Sequence, residues 1–352
     1  MLTAALACAG PAPFAQADAP VQQEIYVSVS GSDDADGTKE APFQTVARAQ
    51  QAVRERNRDM TGDIVVYLRE GVYRQEDTLV FTEEDGGTNG YYVRYAAYPG
   101  EKAEISGGRQ VTGWSGYQKN IWVADVHGVE YVRQLYVNNR SARRAQSEYK
   151  IDAVELFDIP GNEYPYDGLV ATDKKYAQYQ NQSDIQLHFA RGWKSYLLNV
   201  EEIKEGSGGS RFIMQQPAFR AAEDDNSHHN LDSGHNFWLE NAMEELDIPG
   251  EFYYNRSEQK LYYMPRADED MRTANVELAV LDKLIDIKGA NSNQKVKNLA
   301  FDSLTLAHAT WLRAARVGQV NDQAQWMTPD ASDIPVEPGY AMVPSNISLD
   351  RA

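Results

Sequence analysis

A chain of 352 residues, 42% hydrophobic, is long enough to bury a large core and holds no apolar run approaching the length of a membrane-spanning helix. Its net charge of −18 argues against nucleic acid, which needs a basic face to neutralise phosphates. It also disfavours a long polyanionic substrate unless a local basic cleft overrides the average.

Residues 1–17 read as a signal segment. Residues 2–9 form a short apolar run, and Ala15-Gln16-Ala17 makes a small-x-small cleavage site before Asp18, although the usual positively charged start is missing. Export is therefore expected, into the periplasm or out of the cell. A rival expectation makes Cys8, the sole cysteine, a lipid attachment point at the cell surface. Either way the mature body has no thiol, as suits an exported protein that needs no disulfides.

Residues 24–108 organise the rest. A short alternating strand, Ile25-Tyr26-Val27-Ser28-Val29-Ser30, is followed by a polar turn and then by a helix with Val46, Ala49 and Val53 on one face. Strands are expected at Ile64-Val65-Val66-Tyr67-Leu68, Thr78-Leu79-Val80-Phe81 and Tyr91-Tyr92-Val93-Arg94-Tyr95, with glycine corners at Asp85-Gly86-Gly87 and Tyr98-Pro99-Gly100. Short strands with frequent corners and one helix fit the start of a β-solenoid whose helix caps an apolar end. Residues 109–275 are rich in aromatics and strand-like runs, including Trp114, Trp122, Trp193, Trp238, Tyr253, Tyr254, Tyr262 and Tyr263. They predict an inserted β-rich module whose aromatics fill sandwich cores rather than form a sugar platform.

The coils are expected to resume over residues 276–352. Asn298-Leu299-Ala300-Phe301-Asp302 and Asn346-Ile347-Ser348-Leu349-Asp350 align at an offset of 48 residues (346 − 298), read as one coil carrying a long strandless loop over residues 310–339. On this reading another coil begins at Ala352 without a polar cap, so the chain is expected to be the truncated, N-terminal part of a longer protein with a self-associating edge.

Five further stretches stand out: Ala41-Pro42-Phe43-Gln44-Thr45-Val46, Val66-Tyr67-Leu68-Arg69-Glu70-Gly71-Val72-Tyr73, Tyr98-Pro99-Gly100-Glu101-Lys102-Ala103-Glu104-Ile105-Ser106-Gly107-Gly108, Leu246-Asp247-Ile248-Pro249-Gly250-Glu251-Phe252-Tyr253 and Leu261-Tyr262-Tyr263-Met264-Pro265. Together they resemble secreted right-handed parallel β-helix proteins that act on carbohydrates, and most of all glycoside hydrolase family 141 and its relatives. The resemblance implies an all-β chain: a parallel β-helix with an N-terminal capping helix and an inserted β-sandwich-like module. It also implies polysaccharide or oligosaccharide hydrolysis by a pair of carboxylates. Those carboxylates are expected in coils beyond Ala352, so no catalytic residue is carried over. The alternatives are a polysaccharide lyase on the same scaffold and a non-catalytic polysaccharide-binding or adhesin protein.

The resemblance includes a Phe301…His308…Trp311 run at the exit of a strand into a long loop, which makes His308 and Trp311 candidate substrate-binding residues, with Arg313 beside them able to donate to sugar hydroxyls. Alternation would place Asp302, Leu304 and Leu306 on one face, which makes Asp302 a poor candidate acid. Residues 224–235 hold three of the six histidines but lack metal-ligand spacing, and read as a solvated loop. Asp33, Asp34 and Asp36 read as turn residues rather than calcium ligands, and Arg140, Arg143 and Arg144 as a salt-bridged surface. No cofactor fingerprint is present, and no cofactor or metal is expected.

Overall fold

The computed structural model describes residues 19–148, 151–162, 167–191, 194–223, 236–322, 325–327 and 345–352. Three parallel sheets stack strands from successive turns of the chain. The first joins Val21–Val27, Asp63–Leu68, Val93–Ala97 and Leu299–Asp302. The second joins Gly71–Arg74, Ala103–Ser106 and Leu304–Ala307, and the third Leu79–Phe81, Ile285–Lys288 and Ile347–Asp350. Each coil visits the sheets in the same order. In-register parallel pairing then stacks like positions into columns, such as Val66, Tyr95 and Phe301.

The helix Val46–Arg54 lays Val46, Ala49, Ala52 and Val53 on this apolar core. Thr45 starts it by accepting from Arg48 N–H, and Asp33 braces the start by accepting from the Gln44 and Thr45 N–H groups at 2.9 and 2.8 Å. That gives Asp33 a structural role in the turn.

Two sequence expectations fail at corners. Ser303 has a left-handed φ of 56°, which turns the chain from the first sheet into the second and resets the alternation. Phe301, Leu304 and Leu306 therefore all pack on the core while Asp302 is exposed. For the same reason the 48-residue offset does not mark equivalent positions (346 − 298): Leu299–Asp302 lies in the first sheet and Ile347–Asp350 in the third, so the second segment completes a coil.

The insertion interrupts the third coil between Ala103–Ser106 and Ile285–Lys288. Val276–Ala279, expected to restart the coils, instead pairs antiparallel with Leu135–Val137 and Gly108–Gln110. The inserted segment has two main cores and a smaller cluster of Ile121, Ala145, Leu246, Tyr253 and Tyr262. One is enclosed by two small sheets and holds Leu135, Val137, Phe252, Leu261, Tyr263, Val276 and Leu278. The other lies on one face of a six-stranded antiparallel sheet running from Ala153–Phe157 to Asn236–Glu240, with Tyr196, Phe212 and Phe219 at its centre. Tyr196, Tyr253, Tyr254, Tyr262 and Tyr263 are buried in these cores.

The loop after Leu304–Ala307 is not strandless: its described residues hold a short helix, Arg313–Val317, and an antiparallel strand pair, Val320–Asp322 with Gln325–Met327.

Candidate functional site

The inserted segment meets the coils at Gly107. Its backbone N–H donates to Ala307 O at 3.0 Å, and its carbonyl accepts from Val280 and Leu281 at 2.9 and 3.1 Å. A Cβ on Gly107 would stand 2.7 Å from Leu284 Cδ2 and 3.0 Å from the His308 carbonyl, so glycine is needed where three strands converge. Beside it, His308 is buried at a φ of 57°. Its Nδ1 lies 2.9 Å from Ser106 Oγ and 3.4 Å from Glu104 Oε1, and the Tyr136 ring meets it edge-on at 4.8 Å.

Gly108 N–H already donates to Ser106 Oγ at 3.1 Å, so the hydroxyl proton can point to a bare Nδ1. Glu104 Oε1, buried beside that nitrogen, makes no hydrogen bond among the described residues. Across the same junction Arg74 of the second coil pairs with Glu277, buried on the Val276–Ala279 strand; their hydrogen bond holds the Arg74 guanidinium above its ordinary pKa.

Beyond His308 the chain is clamped to the returning segment. Thr310 N–H donates to Leu281 O at 2.9 Å, and Leu312 N–H to Asp282 Oδ1 at 3.0 Å. The helix that follows is anchored to the six-stranded sheet by Asn199 Nδ2, which donates to Ala315 O and Arg316 O at 3.1 Å each. Between these contacts lies a groove of about 570 Å³ lined by Arg109, Glu130, Tyr131, Asp282, Arg313 and Arg316, among others. Three arginines against two carboxylates make it basic in a chain of net charge −18. Burial raises the Tyr131 hydroxyl, and Arg256 lies over that ring at 5.3 Å from its centre. The groove can stack a sugar on an aromatic edge and receive carboxylate or hydroxyl oxygens from guanidinium donors.

The interruption of the third coil also has a counterpart among known families. Residues 119–266 match the family described as the GH141 insertion domain. The GH141-like match covers most of the inserted segment, whose outer strands Gly108–Gln110 and Val276–Ala279 lie outside it. A solved structure titled "Glycoside hydrolase" superposes with a TM-score of 0.80 at 24% identity, covering 94% of this chain and 60% of that one. At that identity the likeness shows a shared all-β fold. Two curated relatives match a shorter stretch. "Uncharacterized protein YwoF" of Bacillus subtilis is 34% identical over 83 residues, 24% of this chain and 15% of that protein. "Pectate lyase PEL9" of Emericella nidulans is 37% identical over 84 residues, 24% of this chain and 18% of that protein.

The three residues expected to bind substrate are not on one surface. His308 faces the coil wall and is buried at the root of the GH141-like insertion, Trp311 is half-buried, and Arg313 lines the groove. Arg140, Arg143 and Arg144 diverge too. Arg140 pairs with Asp268 and Glu269 at 2.9 and 2.7 Å, Arg143 with Glu251 at 2.6 Å, and Arg144 with Glu240 at 3.4 Å. Residues 224–235 lie outside the described residues. Sequence reasoning missed Arg109, Tyr131, Asp282 and Arg316, which the insertion brings together from distant positions. The weak signal was that Arg109 and Asp282 flank the two ends of the interruption.

Proposed function

We propose that this chain belongs to an exported glycoside hydrolase built on a right-handed parallel β-helix, acting on polysaccharide or its oligosaccharides through two carboxylates. The observation that carries the reading is a GH141-like insertion placed within a coil of stacked parallel sheets, in a fold shared with a solved glycoside hydrolase. The groove is the glycan-binding position, with Arg313 and Tyr131 contacting sugar and Trp311 bracing its rim. His308 is a positioning residue: it fixes the start of the loop that delivers Arg313.

The test is to measure binding of fucosylated and xylan-type glycans to the chain by calorimetry, with an assay for new reducing ends beside it. New saturated reducing ends support the reading. No turnover, with no binding to either glycan by calorimetry, removes it.

A second reading, a polysaccharide lyase, draws on the likeness to a pectate lyase and on the basic groove. Such an enzyme abstracts the proton alpha to a uronate carboxylate, using a Lys or Arg base beside groups that neutralise the carboxylate. It predicts an unsaturated uronate product that absorbs in the ultraviolet, which hydrolysis cannot give.

A further inference from the structure

The six-stranded sheet has a second, polar face opposite its apolar core. In register, Gln186 pairs with Asn199 and Glu240, His188 with Leu197 and Trp238, and Ala190 with Ser195. The intervening residues Leu187, Phe189, Tyr196, Leu198, Phe237 and Leu239 point into the core. Alternation thus puts His188, Ser195 and Glu240 on one face of three adjacent strands. His188 Nε2 is 2.8 Å from Ser195 Oγ, and His188 Nδ1 is 3.0 Å from Glu240 Oε1.

The surroundings set the protons. Burial alone would raise the Glu240 carboxyl, but the His188 hydrogen bond with the Arg144 and Arg133 charges outweighs it and holds the pKa at about 2. An ionised carboxylate only accepts, so His188 carries its proton on Nδ1 and presents the bare Nε2 lone pair to the serine hydroxyl. Trp238 Nε1–H donates to the same Glu240 oxygen at 3.3 Å, and its ring lies 4.2 Å from the imidazole, which fixes the ring plane. Arg144 holds the other oxygen at 3.4 Å. The imidazole remains reachable, with 27% of its side chain exposed.

We propose that Ser195, His188 and Glu240 form a nucleophilic triad that hydrolyses a short acyl ester, such as an O-acetyl group on a glycan. The connectivity is that of a serine hydrolase: nucleophile, base, and a carboxylate that orients the base. Ser195 Oγ attacks the acyl carbon as its proton passes to His188 Nε2. The ester C–O bond then breaks, and His188 returns that proton to the departing sugar oxygen. Water adds to the acyl-serine, giving a proton to Nε2; the acyl C–Oγ bond then breaks as Nε2 passes that proton to Ser195 Oγ, and the carboxylic acid leaves with the triad restored. A small acyl group suits a half-buried serine on a polar face. The triad is separate from the groove and does not depend on glycosidic cleavage.

The test treats the full, unaltered chain with a fluorophosphonate and maps the adduct by mass spectrometry, alongside p-nitrophenyl acetate hydrolysis. One phosphonyl group on Ser195 is expected. Ser195→Ala should abolish labelling, and His188→Asn should slow it at least about 100-fold. Far-UV circular dichroism confirms that each variant is folded. Since the first readout needs no variant, misfolding cannot mask it. Absent labelling, labelling at another serine, or p-nitrophenyl acetate hydrolysis unchanged in Ser195→Ala overturns the proposal.

Discussion

The coils and the six-stranded sheet of the GH141-like insertion solve the burial problem in opposite ways. Inside the coils the core is aliphatic and aromatic, and the buried carboxylates Asp63 and Asp85 sit at the periphery, each paired with an arginine. The sheet has only one apolar face; on the other, Arg144, Gln186, Glu240 and Asn199 are buried with one another. Columns of apolar side chains stabilise through area removed from water and tolerate exchange of like for like. A buried ionic network contributes little net stability when intact but is costly to break, because the abandoned charge stays desolvated. The coils are therefore expected to fail gradually with lost volume and the sheet abruptly with lost charge.

The largest effect should come from the aromatic cluster inside the coils. Phe81, Tyr95 and Phe301 belong to three successive coils, with ring centres 5.2 Å apart for Phe81 with each partner and 5.6 Å apart for Tyr95 with Phe301. Phe81→Ala should cost the coils about 3–5 kcal/mol. The five tryptophans among the described residues lie outside the coil strands, so tryptophan fluorescence follows the insertion and its loop while hydrogen exchange follows the coils. Loss of coil protection with an unmoved fluorescence midpoint is expected. If both shift together, the two regions are one cooperative unit and the contrast collapses.

The sheet's counterpart is acid. Glu240 has its pKa lowered from 4.5 to about 2 in the fold, so its contribution is fully present above the unfolded value and disappears as pH falls through the folded one. A shift of that size corresponds to about 3 kcal/mol, lost between roughly pH 5 and pH 2. Urea midpoints followed by tryptophan fluorescence should fall across that window. Asp167 is lowered as well and adds in the same direction, so the Glu240 share is the part of the slope missing in Glu240→Gln. Equal slopes in both proteins would mean the network does not hold the carboxylate.

These two regions also differ in how far their sequences could be read. In the coils, alternation and glycine corners locate the helix and the strands near residues 64, 79 and 93, because each feature is local. The reading slips at Ser303, where one left-handed residue moves the chain to another sheet without a glycine to announce it. The site was less legible for a physical reason. Arg109, Tyr131, Asp282 and Arg316 lie up to 207 residues apart (316 − 109) and meet only because the insertion returns to its starting point. His308 was singled out by its place after a strand, yet its partners Glu104 and Ser106 belong to the preceding coil, about 200 residues earlier.

Where the two regions join, a middle-sized effect is expected. Gly107→Ala places a methyl group against Leu284 and the His308 carbonyl, and the backbone must shift to admit it. Overpacking of this kind costs about 1–3 kcal/mol. The sharper expectation is locational: exchange should quicken at Val280 and Leu281, which donate to the Gly107 carbonyl, before it quickens inside either core. Uniform loss across the coils would place the strain elsewhere.

The smallest effect tests whether the coil core is as indifferent to polarity as the comparison implies. Tyr95 is fully buried, and its hydroxyl has no hydrogen-bond partner among the described residues. Burial drives its pKa upward, so the group stays neutral and only its desolvation counts. Tyr95→Phe keeps the ring contacts with Phe81 and Phe301 and removes a polar atom that lost its water on folding. Such a change should be neutral or stabilising, within about 1–3 kcal/mol, because no partner is left unpaired. Hydrogen exchange of the Val93–Ala97 strand would show it as unchanged or slower. Faster exchange by more than tenfold would mean that the hydroxyl holds a buried water, and that the coils, like the sheet, depend on a polar contact in their interior.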